Sequence, residues 1–181
     1  MAQRVKLALG LGGLGKLAAQ GEYLMRILVV EDEALIRMLV CDLLEEEGHE
    51  CQSAVDGEHA LTLLDKGGFR PDILVTDSNL GAGLDGMTLA REIQHRMPEL
   101  PTVFATGNLD CFVHYRLQAW EALIAKPFSG EDLVAAVEGV WATTFFVERA
   151  IAGANSNTRI SLFLAVTGRH ATKNAGSKLV H

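Results

Sequence analysis

Short apolar runs alternate with longer amphipathic stretches through the central part of the chain. Apolar runs of four or five residues bounded by polar or turn residues predict strands buried on both faces, whereas apolar residues spaced three and four apart predict helices. The predicted strands are 27–30, 50–54, 72–76, 102–105 and 122–125. The predicted helices are 34–47, 57–66, 87–96, a segment near 110–118, and one that begins after Ser129 and runs to at least Trp141.

This regular alternation of strands and helices predicts an α/β fold, a doubly wound parallel sheet with helices on both faces. Local signals mark several helix ends. Gly48 and Pro98 are typical helix terminators, and Ser129 followed by Asp132 resembles a capping box at the start of the last helix. A glycine-rich loop at 80–86 follows the third strand and is expected to be flexible.

Polar side chains stand where the predicted strands end. Glu31 and Asp32 follow the first strand, Asp77 the third, Thr106 the fourth and Lys126 the fifth. Parallel strands of an open α/β sheet present their carboxyl ends at one edge, where such folds bind ligands. The pattern therefore predicts one polar site built from these residues, with Asp77 as the candidate reactive group.

The residue types at this edge indicate phosphoryl chemistry. Three carboxylates close together repel one another unless a hard divalent cation shares them, and Mg²⁺ suits oxygen ligands. A lysine and a hydroxyl beside such a cation are suited to neutralising and hydrogen-bonding phosphoryl oxygens. Asp77 is then a plausible nucleophile that would form an acyl phosphate.

Four motifs resemble those of a known family, the receiver domains of two-component response regulators. They are ILVVEDE (27–33), DILVTD (72–77), PTVFAT (101–106) and KPF (126–128), and the resemblance covers about residues 25–142. It implies a flavodoxin-like fold with five parallel strands in the order 2-1-3-4-5. Residues 1–24 and 143–181 would then be extensions of a receiver domain at 25–142.

The resemblance also implies a role for each acidic residue at the sheet edge. Asp77 would be the phospho-acceptor. Asp32, Asp77 and the main-chain carbonyl of Asn79 would hold Mg²⁺, and Glu31 would bind the ion through water.

The remaining implied roles concern the phosphoryl group and the conformational switch. Lys126 would pair with the phosphoryl group, and the peptide between Lys126 and Pro127 would be cis. Thr106 would move its hydroxyl onto the phosphate and reposition the fourth helix and fifth strand. Leu123 stands where the family often has a switching Tyr or Phe, and Gly81 stands where many relatives have Pro.

The implied function is that of a single-domain response regulator in the cytoplasm. It would accept a phosphoryl group on Asp77 from a histidine kinase or a histidine phosphotransfer protein and then bind a downstream protein target. It would catalyse only its own phosphorylation and dephosphorylation. A Mg²⁺-dependent phosphatase acting on a small substrate is an alternative, but the chain has no insertion within 25–142 to form a substrate cap.

Charge is spread unevenly and raises another alternative. Residues 25–142 hold 8 basic and 21 acidic residues, whereas 143–181 hold 5 basic and 1 acidic residue. The basic tail suggests a nucleic-acid-binding regulator, but it has no interleaved aromatic residues and no helix-turn-helix pattern. A solvated tail is favoured, partly helical and then disordered.

The amino-terminal segment, the hydropathy and the cysteines point to no additional function. Residues 10–16 match glycine-rich nucleotide-binding patterns, but Leu17 replaces the required Ser or Thr, so a flexible or partly helical extension is favoured. No apolar run reaches the roughly 18 residues of a membrane span, so no membrane association is expected. The three cysteines have neither paired nor zinc-type spacing, as in a cytosolic protein with reduced thiols.

Overall fold

The computed structural model describes residues 24–66 and 68–153. The strands are β1 (Arg26–Val30), β2 (Glu50–Ala54), β3 (Ile73–Asp77), β4 (Thr102–Thr106) and β5 (Glu121–Ala125). The helices are α1 (Ala34–Glu46), α2 (Gly57–Lys66), α3 (Gly86–Arg96) and α4 (Gly130–Gly153), with a short 3-10 helix at Leu109–Phe112. The predicted strands and these four helices are confirmed, with ends that differ by one or two residues.

The five strands form one parallel sheet in the order β2-β1-β3-β4-β5. In its register Val30 pairs with Thr76, and Asp77 pairs with Ala105. The predicted doubly wound sheet and the order implied by the resemblance are both confirmed. Because β1 and β3 are adjacent, the acidic residues that end them must lie side by side.

Two apolar cores cover the two faces of the sheet. One core joins the sheet to α2 and α3 and includes the fully buried Leu28, Leu74 and Phe104. The other joins it to α1 and α4 and includes Ile27 and Leu133. Alternate residues of β1 enter opposite cores, as expected of a strand covered on both faces.

The last helix begins at the predicted capping box. The Ser129 hydroxyl accepts a hydrogen bond from the Asp132 N–H at 3.1 Å, and the Asp132 carboxylate accepts one from the Ser129 N–H at 3.1 Å. The Ser129 hydroxyl also donates to the Asp132 carboxylate at 2.7 Å, and this hydrogen bond, together with the one from the Ser129 N–H, lowers the pKa of Asp132. The helix continues past residue 142 to Gly153. The rest of the basic tail and the glycine-rich 10–16 stretch lie outside the described residues.

The helix predicted near 110–118 is wrong. This segment contains only the 3-10 helix Leu109–Phe112, followed by turns and irregular backbone up to β5. Phe112 is buried as predicted and Leu117 packs partly against the core, but Val113 is 68% exposed.

Tertiary contacts explain why this segment is not helical. The buried Glu121 carboxylate accepts hydrogen bonds from the Gln118 N–H at 2.9 Å and the Tyr115 hydroxyl at 3.0 Å. The rings of Phe112 and Tyr115 both pack on Phe104, with centroids 5.3 and 5.8 Å away. A side-chain carboxylate thus takes a backbone donor that a continuous helix would use internally.

Among residues 24–66 and 68–153, no helix is long and apolar enough to cross a membrane.

Candidate functional site

The predicted polar residues meet at the carboxyl edge of the sheet. Glu31 and Asp32 follow β1 directly, and Asp77 is the last residue of β3. One carboxylate oxygen from each of these three residues lies within 4.8 Å of the other two. The strand order produces this cluster, since the adjacent β1 and β3 end at the same level.

Lys126, which directly follows β5, connects two of these acids. Its Nζ lies 2.7 Å from Glu31 Oε2 and 2.5 Å from Asp77 Oδ2. Burial works against its charge, but hydrogen bonds and the charges of Asp77 and Glu31 outweigh burial and raise the pKa of Lys126. The peptide to Pro127 is cis, as the resemblance implies.

Glu31 is the most enclosed acid of the cluster, with a side chain only 4% exposed. Burial raises the pKa of Glu31, although the hydrogen bond from Lys126 acts in the opposite direction. Its second oxygen, Oε1, is buried and has no hydrogen-bond partner among residues 24–66 and 68–153. A buried acceptor without a partner is costly, and a hydrated cation would supply one.

These acids fit a magnesium ion by their chemistry and spacing. Glu31, Asp32 and Asp77 offer oxygen ligands from three side chains, and Asp32 lies on the exposed side. Hard cations that retain several waters suit such an open acidic cluster. The direct ligand roles of Asp32 and Asp77, the water-mediated role of Glu31 and the ligand role of the Asn79 carbonyl stay predictions.

The loop that follows β3 orients the Asp77 carboxylate. Its Oδ1 accepts a hydrogen bond from the Asn79 N–H at 2.9 Å, while Oδ2 faces Lys126. These two contacts fix the orientation of the carboxylate. Its side chain is 11% exposed, so the carboxylate is still open to solvent. A carboxylate oriented in this way is arranged for attack on an incoming electrophile.

Ser78, which the sequence pattern did not mark as a site residue, connects Thr106 to Asp77. The Ser78 hydroxyl donates to Thr106 Oγ1 at 2.6 Å and lies 3.4 Å from Asp77 Oδ1. The Thr106 hydroxyl also donates to the Asn108 carbonyl at 3.0 Å and accepts from the Asn108 N–H at 3.0 Å. It therefore links the acidic cluster to the irregular segment after β4.

Leu123 occupies the β5 position where an aromatic residue is common in the resembling family. It is partly buried and packs against the core that contains Phe104. The aromatic rings on Phe104 come instead from Phe112 and Tyr115 in the segment that precedes β5. The sequence pattern could not reveal this exchange, because it depends on how that segment folds over β4.

Gly86 approaches Asp77 more closely than any side chain could. A Cβ built on Gly86 would overlap the main-chain oxygen of Asp77 and come within 2.9 Å of Thr76 Oγ1. Its N–H donates to the Ser78 carbonyl at 3.1 Å. The only sequence signal was a glycine at the end of the predicted loop 80–86, and its role becomes visible only when the loop is folded.

Arg37 is a further functional candidate that sequence reasoning missed. Its Nη1 donates to the main-chain carbonyl of Glu31 at 2.6 Å and lies 3.4 Å from that of Asp32. The guanidinium thereby holds the turn that carries both acids. Its only signal in the sequence was a basic residue one turn into α1.

We expect Arg37→Gln to weaken Mg²⁺ binding by about tenfold, because supporting contacts orient metal ligands. Removing a positive charge near an acidic cluster would by itself strengthen cation binding, so the predicted weakening reports loss of positioning. Titration calorimetry with Mg²⁺ measures this change. Arg96→Gln is the matched control, since Arg96 pairs with Asp65 and Glu92 on the surface. Unchanged or tighter binding by Arg37→Gln would contradict the assigned role.

Comparisons with known proteins agree with this geometry. Residues 27–138 match the model of the response regulator receiver domain. The chain is 36% identical over 115 residues to the transcriptional regulatory protein PdtaR of Mycobacterium tuberculosis, a match that covers 62% of this chain and 55% of that protein. It thus spans about half the length of this relative.

Solved receiver domains share the fold. The receiver domain of NtrX from Brucella abortus is 38% identical with a TM-score of 0.57, covering 65% of this chain and 98% of that one. A response regulator receiver domain protein from Clostridium thermocellum is 28% identical with a TM-score of 0.61, covering 68% and 99%. The chain therefore belongs to the response regulator receiver domain family.

Proposed function

We propose that this receiver domain accepts a phosphoryl group on Asp77 in a Mg²⁺-dependent reaction and thereby changes its binding to another protein. The observation that carries the proposal is the pairing of Lys126 Nζ with both Asp77 and Glu31, beside Asp32 at the open edge of the sheet. The donor would be a histidine kinase or a histidine phosphotransfer protein. A single-domain regulator remains the predicted organisation.

The chemistry follows from the orientation of Asp77. A carboxylate oxygen attacks the phosphorus of a phosphohistidine, the P–N bond breaks, and its electron pair returns to the imidazole nitrogen of the donor. Bound Mg²⁺ would neutralise charge on the phosphoryl oxygens. Lys126 would exchange one carboxylate contact for a phosphoryl oxygen, which keeps its ammonium group paired throughout.

The proposed switch uses the hydrogen bonds of Thr106. When the Thr106 hydroxyl turns to a phosphoryl oxygen, the carbonyl and the N–H of Asn108 both lose their hydrogen bond with that hydroxyl. The segment between β4 and β5 would then change its packing. Because this segment supplies the rings of Phe112 and Tyr115, it is the surface that we propose reports phosphorylation to a downstream protein.

The test is to incubate the protein with acetyl phosphate and Mg²⁺ and to follow intact mass. We expect one phosphoryl adduct that requires Mg²⁺, is lost when EDTA is added before the donor, and decays over time. Absence of an adduct in the presence of Mg²⁺ would refute the proposal. Rapid multiple turnover of a small phosphate ester would instead favour the phosphatase alternative.

A further inference from the structure

The Thr106 hydroxyl uses its full hydrogen-bonding capacity in this structure. It donates its proton to the Asn108 carbonyl at 3.0 Å, and it accepts from the Asn108 N–H at 3.0 Å and from the Ser78 hydroxyl at 2.6 Å. A hydroxyl offers one donor and two acceptor positions, so all three are occupied. Any rotation of the Thr106 hydroxyl toward a new partner must first break these hydrogen bonds.

The two hydrogen bonds with Asn108 are the easier ones to give up. Asn108 is exposed, so water can replace the Thr106 hydroxyl at its N–H. Its carbonyl keeps a second donor, because Cys111 Sγ donates to the same oxygen at 2.8 Å. Neither polar group of the Asn108 main chain is therefore left without a partner when Thr106 turns away.

The hydrogen bond from Ser78 is the costly one to break. Ser78 is 7% exposed and Thr106 only 1%, so water has little access to either hydroxyl. Within the described part of the chain, the other acceptor near the Ser78 hydroxyl is Asp77 Oδ1, which is 3.4 Å away and already accepts from the Asn79 N–H. A buried donor that loses its acceptor carries the full desolvation cost, so this contact holds Thr106 most strongly.

The main chain fixes Ser78 beside Thr106. Asp77 pairs with Ala105 in the register of β3 and β4, so the residues that follow them, Ser78 and Thr106, lie level with each other. The Ser78 N–H donates to the Ala105 carbonyl at 3.1 Å, and the Ser78 carbonyl accepts from the Gly86 N–H at 3.1 Å. Held on both sides, Ser78 cannot follow Thr106 when that side chain rotates.

We propose that Ser78 is a positioning residue whose hydroxyl holds Thr106 in its resting orientation and thereby sets the threshold of the switch. In the unphosphorylated protein its proton is committed to Thr106 Oγ1. A phosphoryl oxygen offers the Thr106 hydroxyl a charged and stronger acceptor, and the Ser78 contact is then exchanged for it. This inference rests on the proposed function, because it concerns what restrains the proposed switch.

The first test measures the rotamer of Thr106 in the unphosphorylated full-length protein without Mg²⁺. With isotope-labelled threonine methyl groups, the three-bond NMR couplings of the Thr106 methyl carbon report rotation about its Cα–Cβ bond. We expect a second rotamer to be about fivefold more populated in Ser78→Ala than in the wild type, the typical effect of one hydrogen bond. Ser78→Cys should resemble Ser78→Ala, because a thiol fills the space but donates weakly.

Ser53→Ala is the matched control for the loss of a serine hydroxyl. Ser53 is exposed on β2, and β1 and β3 separate it from β4, so the Thr106 couplings should keep their wild-type values. Unchanged couplings in Ser78→Ala would overturn the proposal. Wild-type couplings in Ser78→Cys would assign the effect to packing rather than to the hydrogen bond, and they would overturn it as well.

The second test uses beryllium trifluoride, a phosphoryl analogue that binds a carboxylate oxygen, in the presence of Mg²⁺. We expect Ser78→Ala to bind it about fivefold more tightly than the wild type in calorimetric titration, because Thr106 no longer has to break this contact. In a Thr106→Val background the same substitution should change the affinity by less than about twofold, since no hydroxyl is present to be held.

The outcomes of the second test separate this inference from the proposed function. Equal affinities of Ser78→Ala and the wild type, or equal gains with and without the Thr106 hydroxyl, would overturn the role of Ser78. Absence of binding to the wild type would count against phosphoryl acceptance by Asp77. The rotamer measurement would still decide the role of Ser78, because it needs neither Mg²⁺ nor a phosphoryl group.

Discussion

Asp77→Asn is expected to abolish the phosphoryl adduct formed with acetyl phosphate and Mg²⁺, a loss of more than about 100-fold in rate. The asparagine amide is neutral and a poor nucleophile. The substitution also removes one of the three carboxylates in the cluster of Glu31, Asp32 and Asp77. The variant should fold normally, because Lys126 keeps Glu31 as a partner at 2.7 Å and no buried cation is left unpaired.

The matched control for this variant is Asp110→Asn. Asp110 is an exposed acid in the 3-10 helix after β4. Its main-chain carbonyl accepts from the Val113 N–H and its N–H donates to the Asn108 side chain, and the substitution retains both hydrogen bonds. We expect it to be phosphorylated like the wild type, with intact mass and peptide mapping locating the adduct on Asp77. An adduct that persists undiminished in Asp77→Asn would place the acceptor elsewhere and would refute the assigned chemistry.

Gly86→Ala is expected to destabilise the fold by about 2–4 kcal/mol, because the added methyl overlaps the main-chain oxygen of Asp77. The two atoms nearest to the added methyl belong to the main chain of Asp77, and the third is the Thr76 hydroxyl oxygen. Rotation of a flexible side chain therefore cannot relieve the overlap. Displacement of Asp77 should also slow phosphorylation by at least about tenfold. Urea denaturation measures the first effect, and acetyl phosphate labelling of the folded fraction measures the second.

Gly139→Ala serves as the control for the change of residue type. Gly139 lies inside α4 and is exposed, and no atom of the described part of the chain lies within 4 Å of where its Cβ would stand. Alanine in a helix interior is favoured over glycine by roughly 0.5–1 kcal/mol, so this variant should be slightly more stable than wild type. Equal stability of Gly86→Ala and the wild type would show that the loop accommodates the methyl and would contradict the predicted conflict.

The boundaries and order of the elements show where sequence reasoning succeeds. The runs of β1, β3 and β4 are short, largely apolar and bounded by polar or turn residues, a pattern that favours strands covered by helices on both faces. Once these strands are parallel, the polar residues after each of them must share one edge. The proximity of Glu31, Asp32, Asp77 and Lys126 was therefore predictable before any contact was known.

The segment between β4 and β5 shows where sequence reasoning fails. Its apolar spacing favoured a helix, but the Glu121 carboxylate, the ring of Phe104 and the Thr106 hydroxyl bind it in an irregular form. Each of those partners lies on a strand of the sheet. Local propensity contributes a few tenths of a kcal/mol per residue, which such tertiary contacts readily exceed.

The sequence by itself determined the parallel sheet, its polar edge and the acids that meet there, because strand burial and parallel direction leave few alternatives. Only the tertiary structure decided which groups support that edge. The contacts of Gly86 with Asp77, of Arg37 with the β1 turn and of Ser78 with Thr106 arise from loop conformation. Such contacts join residues whose separation in sequence carries no periodic signal, so the folded chain alone reveals them.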